Sequence, residues 1–119
     1  MEEQLWRACS EGKVEEVIKQ LQNEQINTNW QYNILKTPLN ENGEEGENVL
    51  ANYLGWTPLL ISCEKGHIEI VKILLNDKRV SIRRKIEGKT AIDIAKEENH
   101  SIIVKIIKEF DTGNLLNDY

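Results

Sequence analysis

Two stretches of this chain are one unit written twice, 33 positions apart, and that register constrains the fold more than any other feature. Gly55-Trp56-Thr57-Pro58-Leu59 answers to Gly88-Lys89-Thr90-Ala91-Ile92, Gly66-His67 to Asn99-His100, Ile70-Val71 to Ile103-Val104, and Leu74 to Ile107. A fixed period of this length marks stacked supersecondary units, each too small to bury its own apolar face and dependent on its neighbours for a core. A third, weaker copy opens the chain. Leu5, Ala8, Cys9, Gly12, Val14, Val17 and Leu21 align with Leu59, Ser62, Cys63, Gly66, Ile68, Val71 and Leu75 at an offset of 54. That is one period of 33 plus 21, so an insertion of 21 residues separates the first two copies. Glu16 and Gln20 stand where the second copy has Ile70 and Leu74, and polar residues there suit a terminal unit with one wet side.

Each unit reads as two short helices. Thr57 is a good N-cap, and Pro58 is preorganised for the first helical position, where its missing N–H costs nothing. Leu59, Ser62 and Cys63 then form an i, i+3, i+4 buried stripe, and Gly66 ends the helix with a residue that tolerates left-handed geometry. The spacing predicts a second helix over about 68–76, with Ile70, Val71, Leu74 and Leu75 inward. Thr90 repeats the capping role before Ile92 and Ala95, and the apolar series Ile102, Ile103, Ile106, Ile107 and Phe110 follows.

Gly55-x-Thr57-Pro58-Leu59, followed by Gly66-His67 and Ile70-Val71-x-x-Leu74-Leu75, resembles the consensus of the ankyrin repeat family. The resemblance implies an all-α repeat fold: an ankyrin-type solenoid of helix-turn-helix units with β-hairpin fingers and a long insert in the first finger. On this reading the repeat domain covers 1–110, with repeat 1 over about 1–28, the insert over about 32–53, repeat 2 over about 54–86 and repeat 3 over about 87–110. A polar C-terminal tail, 111–119, follows and favours a complete small protein. The family often has histidine after Thr-Pro-Leu; Leu60 and Asp93 stand there instead, which removes the inter-repeat polar network that histidine supports.

Between the first two repeats, residues 40–48 hold four glutamates, two glycines and three asparagines with no cation, a composition that cannot bury enough to order itself and reads as a mobile loop. Lys78, Arg79, Arg83, Arg84 and Lys85 form a basic run on the second finger, whereas the whole chain carries −5. The acidic body argues against a nucleic-acid partner. Mutual neutralisation of the two fingers is the simpler reading.

Several function classes drop out. No apolar run approaches the roughly 20 residues of a membrane-spanning helix. The acidic start Met1-Glu2-Glu3-Gln4 runs directly into repeat 1, unlike a secretory signal, so the cytosol is the expected compartment, with the nucleus as the alternative. Gly88-Lys89-Thr90 is similar to the end of a phosphate-binding loop, but Arg83 occupies the place of its first glycine and a strand is not expected before it. The register places no histidine to activate a serine or cysteine, and His67 and His100 fall one per repeat, away from metal-ligand spacing with the thiols. No enzyme activity, cofactor or metal is expected.

The resemblance implies a protein-interaction module without chemistry of its own, expected to act as a monomer on a protein partner. Carried over position by position, the family's variable contact sites fall on Tyr53, Leu54, Trp56, Glu64 and Lys65 in the middle repeat. In the last repeat they fall on Ile86, Glu87, Lys89, Glu97 and Glu98, and in the first on Ser10 and Glu11. Trp56 is the strongest anchor by residue type, because large aromatics dominate interface energetics; packing against the insert is its alternative role. Trp6 lies on the first helix and reads as core. Two other readings stay open: a small regulatory inhibitor of a protein complex, resembling myotrophin in length and repeat content, or a fragment or adaptor of a larger scaffold.

Cys9 and Cys63 hold the same position in successive repeats, and packed helices lie about 8–10 Å apart, too far for a disulfide's Cα separation of about 4.4–6.8 Å. Thiol titration of the denatured, unreduced protein should therefore count two reactive cysteines per chain. A titration finding none would overturn the register.

Overall fold

The computed structural model describes residues 2–33 and 53–117, with side chains through Asp111. Its helices are α1 (Glu2–Glu11), α2 (Val14–Leu21), α3 (Pro58–Lys65), α4 (Ile68–Leu75), α5 (Ala91–Glu97) and α6 (Ser101–Asn117). They form three helix-turn-helix pairs in two layers, α1 on α3 on α5 and α2 on α4 on α6.

The local chemistry sets the helix ends. Thr57 is extended and its Oγ1 accepts from the Leu60 amide at 3.3 Å, with Pro58 at the first helical position. In repeat 3, Asp93 Oδ2 accepts from both the amide and the hydroxyl of Thr90, each at 3.1 Å. Asp93 thus serves its own helix start, and Leu60 is buried in the core. The polar link between repeats is not lost with the histidine these two replace. It runs through the other histidines: Nε2 of His67 donates to the Ser10 carbonyl, and Nε2 of His100 to the Glu64 carbonyl, both at 2.9 Å. Each ring lies over the left-handed glycine that ends the preceding inner helix. A Cβ on Gly12 would stand 2.9 Å from His67, and one on Gly66 2.8 Å from His100.

Burial across the register shows which side chains each repeat needs its neighbour to cover. Pro58, Ile61, Ile70 and Leu74 are buried, as are Ala91, Ile94, Ile103 and Ile107; the equivalent Gln4, Arg7, Glu16 and Gln20 are not. These four positions face the preceding repeat. At the start of the stack they are polar and bonded among themselves and to Glu3: Arg7 Nε to Glu3 at 2.8 Å, Gln20 Nε2 to Glu16 at 2.8 Å and to Gln4 at 3.4 Å. Conversely, Leu5, Cys9 and Val17, with Leu59, Cys63 and Val71, are buried, whereas Ile92, Lys96 and Val104 are wholly or partly exposed. Those positions face the following repeat.

Among the described residues the fingers contain no strand. Ile86 and Lys89 exchange two backbone hydrogen bonds of 2.9 Å around Glu87-Gly88, whose φ angles of 52° and 79° match a two-residue hairpin turn. The counterpart pairs Tyr32 with Trp56: the Tyr32 amide donates to the Trp56 carbonyl and the Gly55 amide to the Tyr32 carbonyl, both at 2.8 Å. Twenty-three residues separate Tyr32 from Trp56 and two separate Ile86 from Lys89, the same difference of 21 that the register gives. The acidic stretch 40–48 lies outside the described residues.

Two arginines of the basic run, Arg79 and Arg83, are cross-links. Arg79 donates to the Leu21 and Asn23 carbonyls at the end of repeat 1, at 2.8 and 2.9 Å, and grips Asp77 with two bonds of 2.7 and 3.0 Å. Asn29 returns the link, donating to the Arg79 carbonyl and accepting from the Ser81 amide, both at 2.7 Å. Arg83 pairs with Asp111 on α6 at 2.9 Å. Among the described residues the acidic partners of the run are these two aspartates. At the far end α6 continues past residue 110 into the stretch read as a tail. Ile102, grouped by sequence with the apolar series of that helix, is 58% exposed because it takes the outward position of Glu69.

Leu74 is fully buried at a position that the preceding repeat covers. Leu74→Ala should cost about 2–5 kcal/mol, read as a lower urea midpoint. A loss under about 1 kcal/mol would mean that this interface is not the core. The Arg79 guanidinium, bonded to Asp77, holds that carboxyl below the usual carboxylate range despite partial burial. Its stabilising effect is complete above the unfolded value near 4 and disappears as pH falls through the lower folded value. Between about pH 5 and pH 2, Asp77→Asn should therefore lose less stability than wild type; parallel loss curves would remove Asp77 from the acid response.

Candidate functional site

Every residue the sequence singled out for contact is at least partly exposed: Ser10, Tyr53, Trp56, Glu64, Ile86 and Lys89 partly, and Glu11, Leu54, Lys65, Glu87, Glu97 and Glu98 openly. Their arrangement starts from an aromatic cluster at the first finger. Trp6, from α1, is buried against Tyr32 with ring centroids 4.6 Å apart and against Tyr53 at 6.0 Å. Tyr53 meets Trp56 edge-on at 5.3 Å, and Trp30 closes on Tyr32 at 6.0 Å. The Trp6 indole N–H donates to the Trp56 carbonyl at 2.9 Å. The same carbonyl takes the Tyr32 amide, so the finger is tied to the core through the backbone of Trp56.

Tyr53 carries the cluster out to α3. Its hydroxyl donates to Glu64 at 2.6 Å, and Lys65 Nζ donates to that hydroxyl at 3.2 Å while lying 5.3 Å from the ring centroid. The bond to Glu64, then burial, raises the Tyr53 phenol above its ordinary value, and the bond to Tyr53 raises the Lys65 ammonium. Tyr53, Trp56, Glu64 and Lys65 are thus brought together. Ile86 joins them from the next finger: a Cβ on Gly55 would stand 2.9 Å from its Cδ1.

Lys89 is bound differently. It pairs with Glu97 at 2.6 Å, which raises its ammonium, and so belongs to repeat 3 rather than to the aromatic group. Glu11 pairs with Lys13 at 2.8 Å, which lowers its carboxyl, and the Ser10 carbonyl is taken by His67. Tyr32 is the residue the contact reading missed. The signal was present, since the offset of 54 that aligns Leu21 with Leu75 also aligns Tyr32 with Ile86.

Both cysteines are free and buried, and burial alone pushes the Cys63 thiol up to about 12 and the Cys9 thiol further, opposite to the requirement of a nucleophile. Among the described residues no helix is long and apolar enough to cross a membrane.

The family model of ankyrin repeats in three copies matches residues 5–114, and the chain belongs to the ankyrin repeat family. Ankyrin repeats are in general protein–protein interaction modules, and the family is typically non-catalytic. No curated protein gives a significant match to the chain.

Proposed function

We propose that the chain is a non-catalytic module that binds a protein partner through a concave surface made by its finger tips and the ends of α1, α3 and α5. In this reading it acts as a monomer, in the cytosol or nucleus, without cofactor or nucleic acid. The observation that carries it is the division of labour within Trp56. Its carbonyl holds the finger to Trp6 and Tyr32, while its indole, packed in part against the core, stays partly exposed and meets Tyr53 edge-on, with Tyr53 in turn bonded to Glu64. An aromatic held rigid from behind and open in front loses little freedom on binding, the property of an interface anchor.

Because the structural bonds of Trp56 run through its backbone, Trp56→Ala keeps them. The variant should lose about 2 kcal/mol or more of partner affinity, as anchor truncations do, with a smaller effect on folding than Leu74→Ala. The measurement is affinity capture from the native cell with cross-linking, comparing wild type with Trp56→Ala and Lys89→Ala, alongside thermal midpoints. Unchanged capture with both side chains truncated would place the interface elsewhere. A destabilisation by Trp56→Ala equal to that of Leu74→Ala would make the indole core.

A further inference from the structure

The two ends of the stack are finished in different ways, and the difference does not involve the finger surface. At the first end all four positions facing a preceding repeat are polar, and each takes part in a side-chain hydrogen bond, as described. At the other end the positions facing a following repeat read Ile92, Lys96 and Val104, with Lys108 where repeat 2 has Leu75. The two lysines are exposed and form no ion pair or hydrogen bond among the described residues. Beside them opens a groove of about 210 Å³, with Ile82, Ile92 and Ile107 as its floor and Arg83, Lys108 and Asp111 at its rim. Arg84 and Lys85, which follow Arg83 in the chain, are exposed and also make no ion pair.

We propose that this end of repeat 3 is a second docking surface, for an acidic amphipathic helix. The shape argues for a helix: the same positions in repeats 1 and 2 each receive the helices of the next repeat. The charge argues for carboxylates. Lys96 and Lys108 lie exposed at positions turned to a following repeat and form no ion pair among the described residues, on a chain whose total is −5; Asp93 is the acid within electrostatic reach of Lys96. Lysine stems can add hydrocarbon to an apolar contact while their ammonium groups pair with carboxylates at its edge. A nucleic-acid backbone fits less well. It would leave the isoleucine floor uncovered and bring its charge across the acidic remainder of the surface. An acidic helix satisfies both halves of the site, with leucine-type side chains over Ile92 and Val104 and carboxylates opposite Lys96 and Lys108.

The experiment titrates the full chain with two synthetic helical peptides and follows backbone amide shifts. One carries leucines at i, i+3, i+4 and i+7 with glutamates on both flanks; the other replaces every glutamate by lysine. The glutamate peptide should bind, shifting the amides of Ile92, Lys96, Val104 and Lys108, and binding should weaken as salt rises. Lys96→Glu combined with Lys108→Glu should lower its affinity by about tenfold or more while leaving helical content and thermal midpoint unchanged. Failure of the glutamate peptide to bind would overturn the proposal. So would equal binding of the lysine peptide, shifts centred on Trp56, or a single-stranded oligonucleotide that binds this end more tightly than the peptide. Shifts centred on Trp56 would move the peptide to the finger surface, and the other outcomes leave that surface to the separate Trp56→Ala test.

Discussion

The middle helix pair of this chain has apolar side chains on two faces, and the preceding and following pairs are what cover them. Ile61, Ile70 and Leu74 look back along the stack, and Leu59, Cys63 and Val71 look forward; all six are fully or nearly fully buried in the middle repeat. Everything else in the structure answers to that requirement. The inner helices must lie close and in register, so the residue ending each of them has to be small and left-handed, and the histidine opening the next outer helix closes over it. The Ser10 and Glu64 carbonyls, which the end of a helix leaves without partners, are satisfied by those rings. Hydrophobic burial drives the stacking, and the histidine bonds fix its spacing.

The constraint also explains the outer loops. An array that loses a neighbour loses half its burial, and additional links keep the repeats from separating. Arg79 supplies one between the first two repeats, reaching two carbonyls of repeat 1 while Asp77 neutralises it. Arg83 and Asp111 supply the next, on an exposed surface where such a pair contributes little by itself, typically under about 1 kcal/mol. The junction that also carries the longer connection has the stronger link. Tyr32 and Trp56 close that connection at its base, and Trp6 anchors the closure to the core, so the chain between them leaves and returns at one rigid place.

Function follows from what the stacking leaves uncovered. Side chains at the finger tips and inner-helix ends do not face another repeat, and they carry the aromatic and charged groups. The ends of the array are uncovered too. Polar substitution closes the first, as Gln4, Glu16 and Gln20 show, while the last keeps isoleucine and valine among its lysines. The two thiols lie where desolvation suppresses the thiolate, which makes them poor nucleophiles.

The sequence determined the repeats, their number and their helices, because these depend on local spacing: a period of 33, a Thr-Pro cap, Gly12, Gly66 and Asn99 at the ends of the first helices, and apolar residues three and four apart. It also determined the length of the extra segment, since Tyr32 and Ile86 share the offset of the first repeat. Only the tertiary structure decided the roles of residues whose partners lie in another repeat. Leu60 and Asp93 appeared to break an inter-repeat network; one is core and the other caps its own helix, while His67 and His100 carry the link. Arg79 looked like part of a solvated basic run and instead holds two repeats together. Trp56 and Lys89 hold equivalent positions in sequence, but one is tied to the core by its carbonyl and the other pairs with Glu97. Spacing along a chain tells which face a side chain occupies, and a side chain's partner across an interface depends on distances that only the packed repeats define.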